Sequence, residues 1–316
     1  MKDLIELTKD ANDIAIAGHL RPDGDCVGAC VATWRYLKNA CPHKEIRVYL
    51  ETLPEVFSFL DPKGEIVSNH PMEGQVDLFI ALDSSSTDRL GEAKKSFEAA
   101  RKTICIDHHV SNLNYADENF IEPDASSTCE VLFEMMKTEE IDISVASALY
   151  IGMIFDSGVF RYSSTSRHTM EVAGILMEKG IPFWEYIDQC FYERSYSKTK
   201  LLGETLQKST LIMDERGIVS TITQDMMEKY GTKTEDIDGI IDELRITKGT
   251  DIAILFHELK TDTYKVSMRS NEKIDVSIIA LHFGGGGHKK AAGCTVEGTY
   301  QELLAAIIEQ IKLQYA

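Results

Sequence analysis

Apolar runs of strand length recur through the first third of the chain: DIAIAGH, EIRVYL, VDLFIAL and TICI. Between several of them the period changes. GACVATWRYLKNA and the segment from Leu90 to Ala100 place apolar residues three and four apart, the spacing of a helix face. Short apolar strands alternating with amphipathic helices predict an α/β fold, with a mostly parallel sheet covered by helices. Ligands in such a fold collect outside the carboxyl ends of the strands.

After TICI the pattern turns helical in STCEVLFEMMK, SVASALYIGMIFDSG and TSRHTMEVAGILMEKG. The polar stretch DQCFYERSYSKTKLLGETL reads as a connector, helical in part. Beyond it, TLIMDERGIVSTIT predicts a hairpin, DIAILFHEL and TYKVSMRS a further pair of strands, and a glycine cluster precedes a terminal helix. A length of 316 residues accommodates two domains. The expected division is residues 1–190, a connector at 191–200, and a smaller α/β domain at 201–316. The Met- and Phe-bearing faces between residues 126 and 180 are either core or a surface shared by two subunits.

Composition narrows the function. Hydrophobic residues at 43% and charged residues at 27% are ordinary globular values. Of the formal charge of −18, residues 196–316 carry only −3, from 15 Lys or Arg against 18 Asp or Glu, which leaves −15 for residues 1–195. That balance argues against a basic track for long duplex nucleic acid. It suits a phosphate substrate only if bound cations neutralise the acids locally. The seven cysteines lack CxxC spacing and predict reduced, mostly buried thiols in a cytoplasmic protein. The first residues resemble no export signal, and no apolar run is long enough for a bilayer.

Four places carry candidate chemistry. His19, Asp23 and Asp25 follow a strand in IAGHLRPDGDCVG, where DGD either aims two carboxylates at one volume or turns the chain and caps a helix. Asp83 follows the strand of DLFIALDSSS, as a ligand or a cap. Asp107, His108 and His109 follow ICI; one imidazole can bind a metal while its neighbour meets substrate, with the acid fixing a ring tautomer. Asp156 ends ALYIGMIFD, again as a cap or an inward ligand. Together these oxygen and nitrogen donors, with no thiolate among them, suit manganese or magnesium better than structural zinc. Four converging carboxylates without cations would be costly.

HLRPDGD, the aspartate of IALDS, DHH and the acid of FDS resemble, in order and spacing, the four motifs of the DHH phosphoesterase superfamily. GGGGHKKAAG resembles the glycine-rich motif of the C-terminal domain found in its smaller members. The resemblance implies two Mn²⁺ ions per subunit, with Mg²⁺ or Co²⁺ as alternatives. One would be held by His19, Asp23 and Asp83 and the other by Asp25, Asp83, His108 and Asp156, so that Asp83 bridges. His109 would face the substrate phosphate, and Asp107 would support the histidine pair. Phe155 departs from the pattern, standing where many members carry threonine.

The glycine run lets backbone N–H groups approach an anion, and His288, Lys289 and Lys290 follow it directly. From the family, Arg269, Gly285, Gly286, Gly287 and His288 are expected to hold the terminal phosphate in a cleft between the domains; Arg269 could equally pair with a surface acid. The expected activity is that of bacterial nanoRNases: hydrolysis of short single-stranded RNA to mononucleotides, and of 3′-phosphoadenosine 5′-phosphate to AMP. A homodimer and no membrane association are further expectations. The alternatives are a phosphodiesterase for pApA or cyclic di-AMP and a nucleotide-binding regulator without turnover.

Overall fold

The computed structural model describes residues 2–69 and 74–315, and the chain divides into two compact units, Met1–Glu193 and Arg194–Ala316. The first unit holds strands β1 (Asp13–Ala17), β2 (Glu45–Tyr49), β3 (Val67–Ser68), β4 (Leu78–Leu82), β5 (Thr103–Asp107) and β6 (Glu118–Ile121). Its helices are α1 (Leu4–Leu7), α2 (Gly24–Ala40), α3 (Lys94–Ala99), α4 (Thr128–Phe133), α5 (Ile143–Asp156), α6 (Arg167–Glu178) and α7 (Phe183–Ile187).

All six strands run parallel in the order β3-β2-β1-β4-β5-β6. Every residue of β4 and β5 is buried, because helices cover both faces of a parallel sheet. Alternate residues separate the two cores: Ile14, Ile16, Ile80, Leu82 and Ile106 pack with α2, α4 and α5, while Ala15, Ala17, Phe79 and Ala81 face Leu90, Ala93 and Phe97. Chain order reverses between β1 and β4, the point where a doubly wound sheet opens a crevice at its strand ends.

Helix α5 is buried without interruption from Val145 to Ile154, as an all-apolar helix must be. One predicted helix differs from expectation, and the connector expected to be helical in part is regular over most of its length. The Leu90–Ala100 helix is a 3₁₀ segment, Thr87–Ala93, broken at Gly91 (φ 55°), followed by α3. The polar connector is mostly regular structure: a π turn at Asp188–Tyr192 and then α8 (Tyr196–Gln207), which belongs to the second unit. Leu201 and Thr205, four apart, bury its inner face; polar residues on the other faces concealed that pattern.

The second unit adds α9 (Gln224–Tyr230), α10 (Ile240–Arg245), α11 (Val276–His282) and α12 (Tyr300–Lys312). Its strands are β7 (Thr210–Ile212), β8 (Gly217–Ile222), β9 (Ile252–Lys260), β10 (Thr263–Ser270), β11 (Gly286–His288) and β12 (Ala291–Glu297). They form one sheet ordered β11-β12-β10-β9-β8-β7, antiparallel except for the β8–β9 pair. One face packs on α11 and α12, the other on α8, α9 and α10. Part of the glycine cluster is therefore an edge strand. All seven cysteines are free, and no helix among the described residues is long and apolar enough to cross a membrane.

Candidate metal centre

Strand register explains why distant residues meet. Ala17 pairs with Ala81 across β1 and β4, so His19 and Asp83, each two residues further on, leave adjacent strand ends at the reversal point. On the other side of β4, β5 pairs in register and ends at Asp107, which delivers His108 and His109 to the same rim.

His19 Nε2 lies 3.4 Å from Asp83 Oδ2 and 3.7 Å from Asp23 Oδ1. His108 Nε2 lies 3.0 Å from Asp156 Oδ2, 3.7 Å from Asp83 Oδ1 and 4.0 Å from Asp25 Oδ2. Asp83 therefore turns one oxygen to each histidine. Its φ of 52° is in the left-handed region, a strained backbone for a residue held in place by its surroundings. The cap reading of Asp83 does not hold, since Ser86 occupies the N-cap of the next helical segment.

Both imidazoles are oriented from behind. His19 Nδ1 bonds the Leu20 carbonyl at 2.8 Å, and His108 Nδ1 the Ala125 carbonyl at 3.3 Å. With Nδ1 turned to these carbonyls, each Nε2 is the nitrogen that faces the acids: it carries a proton in the ion-paired form and would offer its lone pair to a cation that displaced that proton.

Asp23 serves two purposes at once. Its Oδ1 caps α2, accepting from the amides of Asp25 and Cys26 at 3.1 and 3.2 Å. Asp25 is wholly buried and accepts from the amides of Thr128 (2.6 Å) and Cys129 (3.0 Å) at the start of α4. Asp156 closes α5 at its carboxyl end; an acid caps the opposite end of a helix and is unfavourable here beside the negative pole of the dipole. It sits on a helix terminus, so the group gathers around three strand ends, the start of α2 and the end of α5.

Close backbone approach makes room for these carboxylates. A Cβ on Gly152 would lie 2.5 Å from Asp25 Oδ1, and one on Gly24 would lie 2.2 Å from the Phe155 ring. Phe155 stacks edge-on to Phe57 (centroids 4.8 Å apart) and packs on Phe191, which fixes the helix end that carries Asp156.

The electrostatics call for positive charge. Burial, then the nearby Asp83 and Asp156 charges, pushes the Asp25 carboxyl well above its usual range, and burial with Asp83 raises that of Asp156. Burial works against the His19 cation, yet Asp23 and Asp83 outweigh it and push the imidazole up to about 11. The same opposition, with Asp156, Asp25 and Asp83 prevailing, takes His108 to about 10. Nevertheless His108 Nε2 is buried without a hydrogen bond of acceptable geometry. A divalent cation supplies what such a nitrogen and its acids lack, and three groups of donors come within its reach: His19, Cys26 and Asp83; Asp83, His108 and His109; and Asp25, His108 and Asp156.

Cys26 adds a sulfur atom within reach of His19 and Asp83 that the sequence pattern did not single out. Its side chain fills the space beside Gly18, where a Cβ would lie 2.1 Å from Sγ. Burial pushes the thiol far above its ordinary range, which disfavours a thiolate and leaves the oxygen and nitrogen donors as the better ligands for a hard cation.

Asp107 is fully engaged. Its Oδ1 accepts from His109 Nδ1 at 2.7 Å and from the His108 amide at 2.8 Å, and its Oδ2 from Asn112 at 2.7 Å. Despite burial, the bonds from His109 and Asn112 hold its pKa down, and in return Asp107 raises that of His109. Two contributors escaped the sequence reading: Asn112, and Thr128, whose hydroxyl donates to Asp83 Oδ1 at 2.9 Å. Asn112 stands three residues beyond the histidine pair, and Thr128 follows a capping serine; polar residues there were the available signal.

In the second unit Arg269 pairs with Ala291 and Ala291 with His288, so Arg269 and His288 point to one face from strands two positions apart. Arg269 lines a cavity of about 260 Å³ with Arg245, Ser270 and Lys290, and its Nε is 3.6 Å from Asp242. The N–H of Gly285 donates to Ala280 at 2.8 Å, closing α11. Gly286 and Gly287 lie in edge strand β11.

Comparison with known proteins then fixes the architecture. The model of the DHH family, N-terminal domain, matches residues 13–153, and that of the DHHA1 domain matches residues 214–313. This chain has the DHH–DHHA1 domain architecture. The DHH–DHHA1 chain is 27% identical over 310 residues to the Thermus thermophilus bifunctional oligoribonuclease and PAP phosphatase NrnA, covering 94% of this chain and 90% of that one. It is 28% identical over 300 residues to the Bacillus subtilis protein of the same name, covering 93% and 92%. Its fold matches an exopolyphosphatase-related protein from Bacteroides fragilis with a TM-score of 0.83 at 24% identity, over 99% and 97% of the two chains.

Proposed function

We propose that this DHH–DHHA1 protein is a metal-dependent phosphoesterase that hydrolyses short oligoribonucleotides to mononucleotides and 3′-phosphoadenosine 5′-phosphate to AMP, with two Mn²⁺ ions per subunit. The observation that carries the reading is the orientation of Asp83, one oxygen toward His19 and the other toward His108. Near-full-length similarity to proteins named as bifunctional oligoribonucleases and PAP phosphatases supports the substrate class.

His19, Asp23 and Asp83 would hold one ion, and Asp25, Asp83, His108 and Asp156 the other. Bound ions supply Lewis acidity at the phosphoryl oxygens and an acidified water for in-line attack. His109, its Nδ1 committed to Asp107, turns Nε2 outward to donate to a phosphoryl oxygen or a leaving group. Asp107 keeps that ring oriented and favours its protonated form. No side-chain nucleophile is required. Arg269 would grip a phosphate with its planar fork; His288, Gly286 and Gly287 would complete the contact, together with Gly285 through atoms other than its committed N–H.

The test is a substrate panel with Mn²⁺: a short RNA oligomer, 3′-phosphoadenosine 5′-phosphate, pApA and cyclic di-AMP. The reading expects mononucleotides from the RNA and AMP from 3′-phosphoadenosine 5′-phosphate. A preparation that binds Mn²⁺ but turns over none of the four contradicts it, and turnover of cyclic di-AMP or pApA alone replaces the substrate assignment.

A further inference from the structure

Within residues 125–129, outside the four motifs, Ala125, Thr128 and Cys129 orient three members of the cluster. The Ala125 carbonyl accepts from His108 Nδ1. The Thr128 hydroxyl donates to Asp83, and the amides of Thr128 and Cys129 donate to the two oxygens of Asp25. This stretch is a loop running into α4, and loops of this kind hold a fixed shape only when something ties their polar groups down.

Glu130 ties it. The side chain is 3% exposed, and its Oε2 accepts from the Ser126 amide at 3.0 Å, the Ser126 hydroxyl and the Thr169 hydroxyl at 2.9 Å. Thr169 is itself fixed in a capping box with Ser166 at the start of α6. All three donors are neutral. Burying a carboxylate among neutral donors costs free energy that an apolar residue of similar size would avoid, but an apolar residue could not hold Ser126.

We propose that Glu130 is a positioning residue for the metal centre: by clamping Ser126 between α4 and α6 it sets the directions of His108, Asp25 and Asp83. The inference rests on the two-cation reading above.

Mn²⁺ affinity, measured by calorimetry on folded protein, tests it. Glu130→Ala is expected to weaken Mn²⁺ binding about ten- to a hundredfold, the scale for loss of partners that orient ligands. It should also lower kcat with little change in KM. Glu130→Gln keeps an acceptor oxygen and is expected to stay within about threefold of wild type. Val48→Ala, in a buried position of β2, controls for destabilisation and should lower Tm without altering Mn²⁺ affinity. If Glu130→Ala does not fold, the double variant Ser126→Ala with Thr169→Val removes both hydroxyl donors and should likewise weaken Mn²⁺. Wild-type affinity in a folded Glu130→Ala or in the double variant overturns the proposal. A wild-type protein that binds no Mn²⁺ overturns the two-cation reading itself.

Discussion

His19 and Asp83 approach to 3.4 Å because each stands two residues beyond a pair, Ala17 and Ala81, that lie opposite each other in register across the reversal point of the sheet. Everything else in the cluster is arranged around Asp83. Asp83→Asn keeps the side-chain shape and the contact with Thr128 but removes the charge shared by both halves. Phosphodiester turnover should fall by at least about 10²–10³-fold, the scale for losing one preorganised electrostatic contact, with Mn²⁺ stoichiometry reduced in calorimetry. Retention of most activity would remove Asp83 from the centre.

Gly152 carries a packing prediction. A methyl group there meets Cys129 Sγ at 2.3 Å and Asp25 Oδ1 at 2.5 Å, and Asp25 is pinned by two amides, so it cannot step aside freely. Gly152→Ala should cost about 1–3 kcal/mol by overpacking and weaken Mn²⁺ as well. Denaturant unfolding and calorimetry read the two effects separately; loss of stability with unchanged Mn²⁺ affinity would show that Asp25 is not displaced.

Arg269 is expected to act on binding. Arg269→Ala should raise KM for short substrates while kcat changes little, the signature of a contact equal in ground and transition states. Steady-state kinetics on 3′-phosphoadenosine 5′-phosphate decide it. An unchanged KM would leave Arg269 as a partner of Asp242.

The second unit has its own pH dependence. Asp251 is 4% exposed, and although burial raises its pKa, bonds from Lys273, Asn271, Tyr315 and Arg216 outweigh it and hold the carboxyl far below the ordinary value. A depressed carboxyl contributes stability that is present above its unfolded pKa of about 3.9 and lost as pH falls through the folded value. Asp251→Asn should cost roughly 2–3 kcal/mol at neutral pH, the scale for hydrogen bonds to a charged group. That difference should shrink as the medium is acidified below about pH 4. Thermal unfolding across that range measures it; a difference independent of pH would mean the charge contributes nothing.

Sequence patterning made the doubly wound first sheet legible, since β1, β4 and β5 are short apolar runs that end where chemistry begins. His19, Asp83 and the Asp107–His109 triplet could be read because strand ends announce themselves. Thr128 and Asn112 could not, because their partners lie 45 and 5 residues away and only the folded loops bring them in. Cys26 was hidden for a related reason: nothing in DGDC says that Gly18 leaves space for its sulfur. Three-residue pairing with Gly293, Ala292 and Ala291 makes part of the glycine run a strand rather than a loop, and strands of glycine carry no periodicity to read. The partly helical pattern of the connector leaves the extent of α8 illegible, because polar residues surround Leu201 and Thr205.

Crystals soaked in Mn²⁺ and measured at the manganese absorption edge would show whether Asp83 stands between two ions. Two anomalous peaks are expected on either side of the Asp83 carboxylate, one against His19 and Asp23 and the other against Asp25, His108 and Asp156. A map with no peak at Asp83, or with Asp83 touching a single ion, would contradict a bridging Asp83.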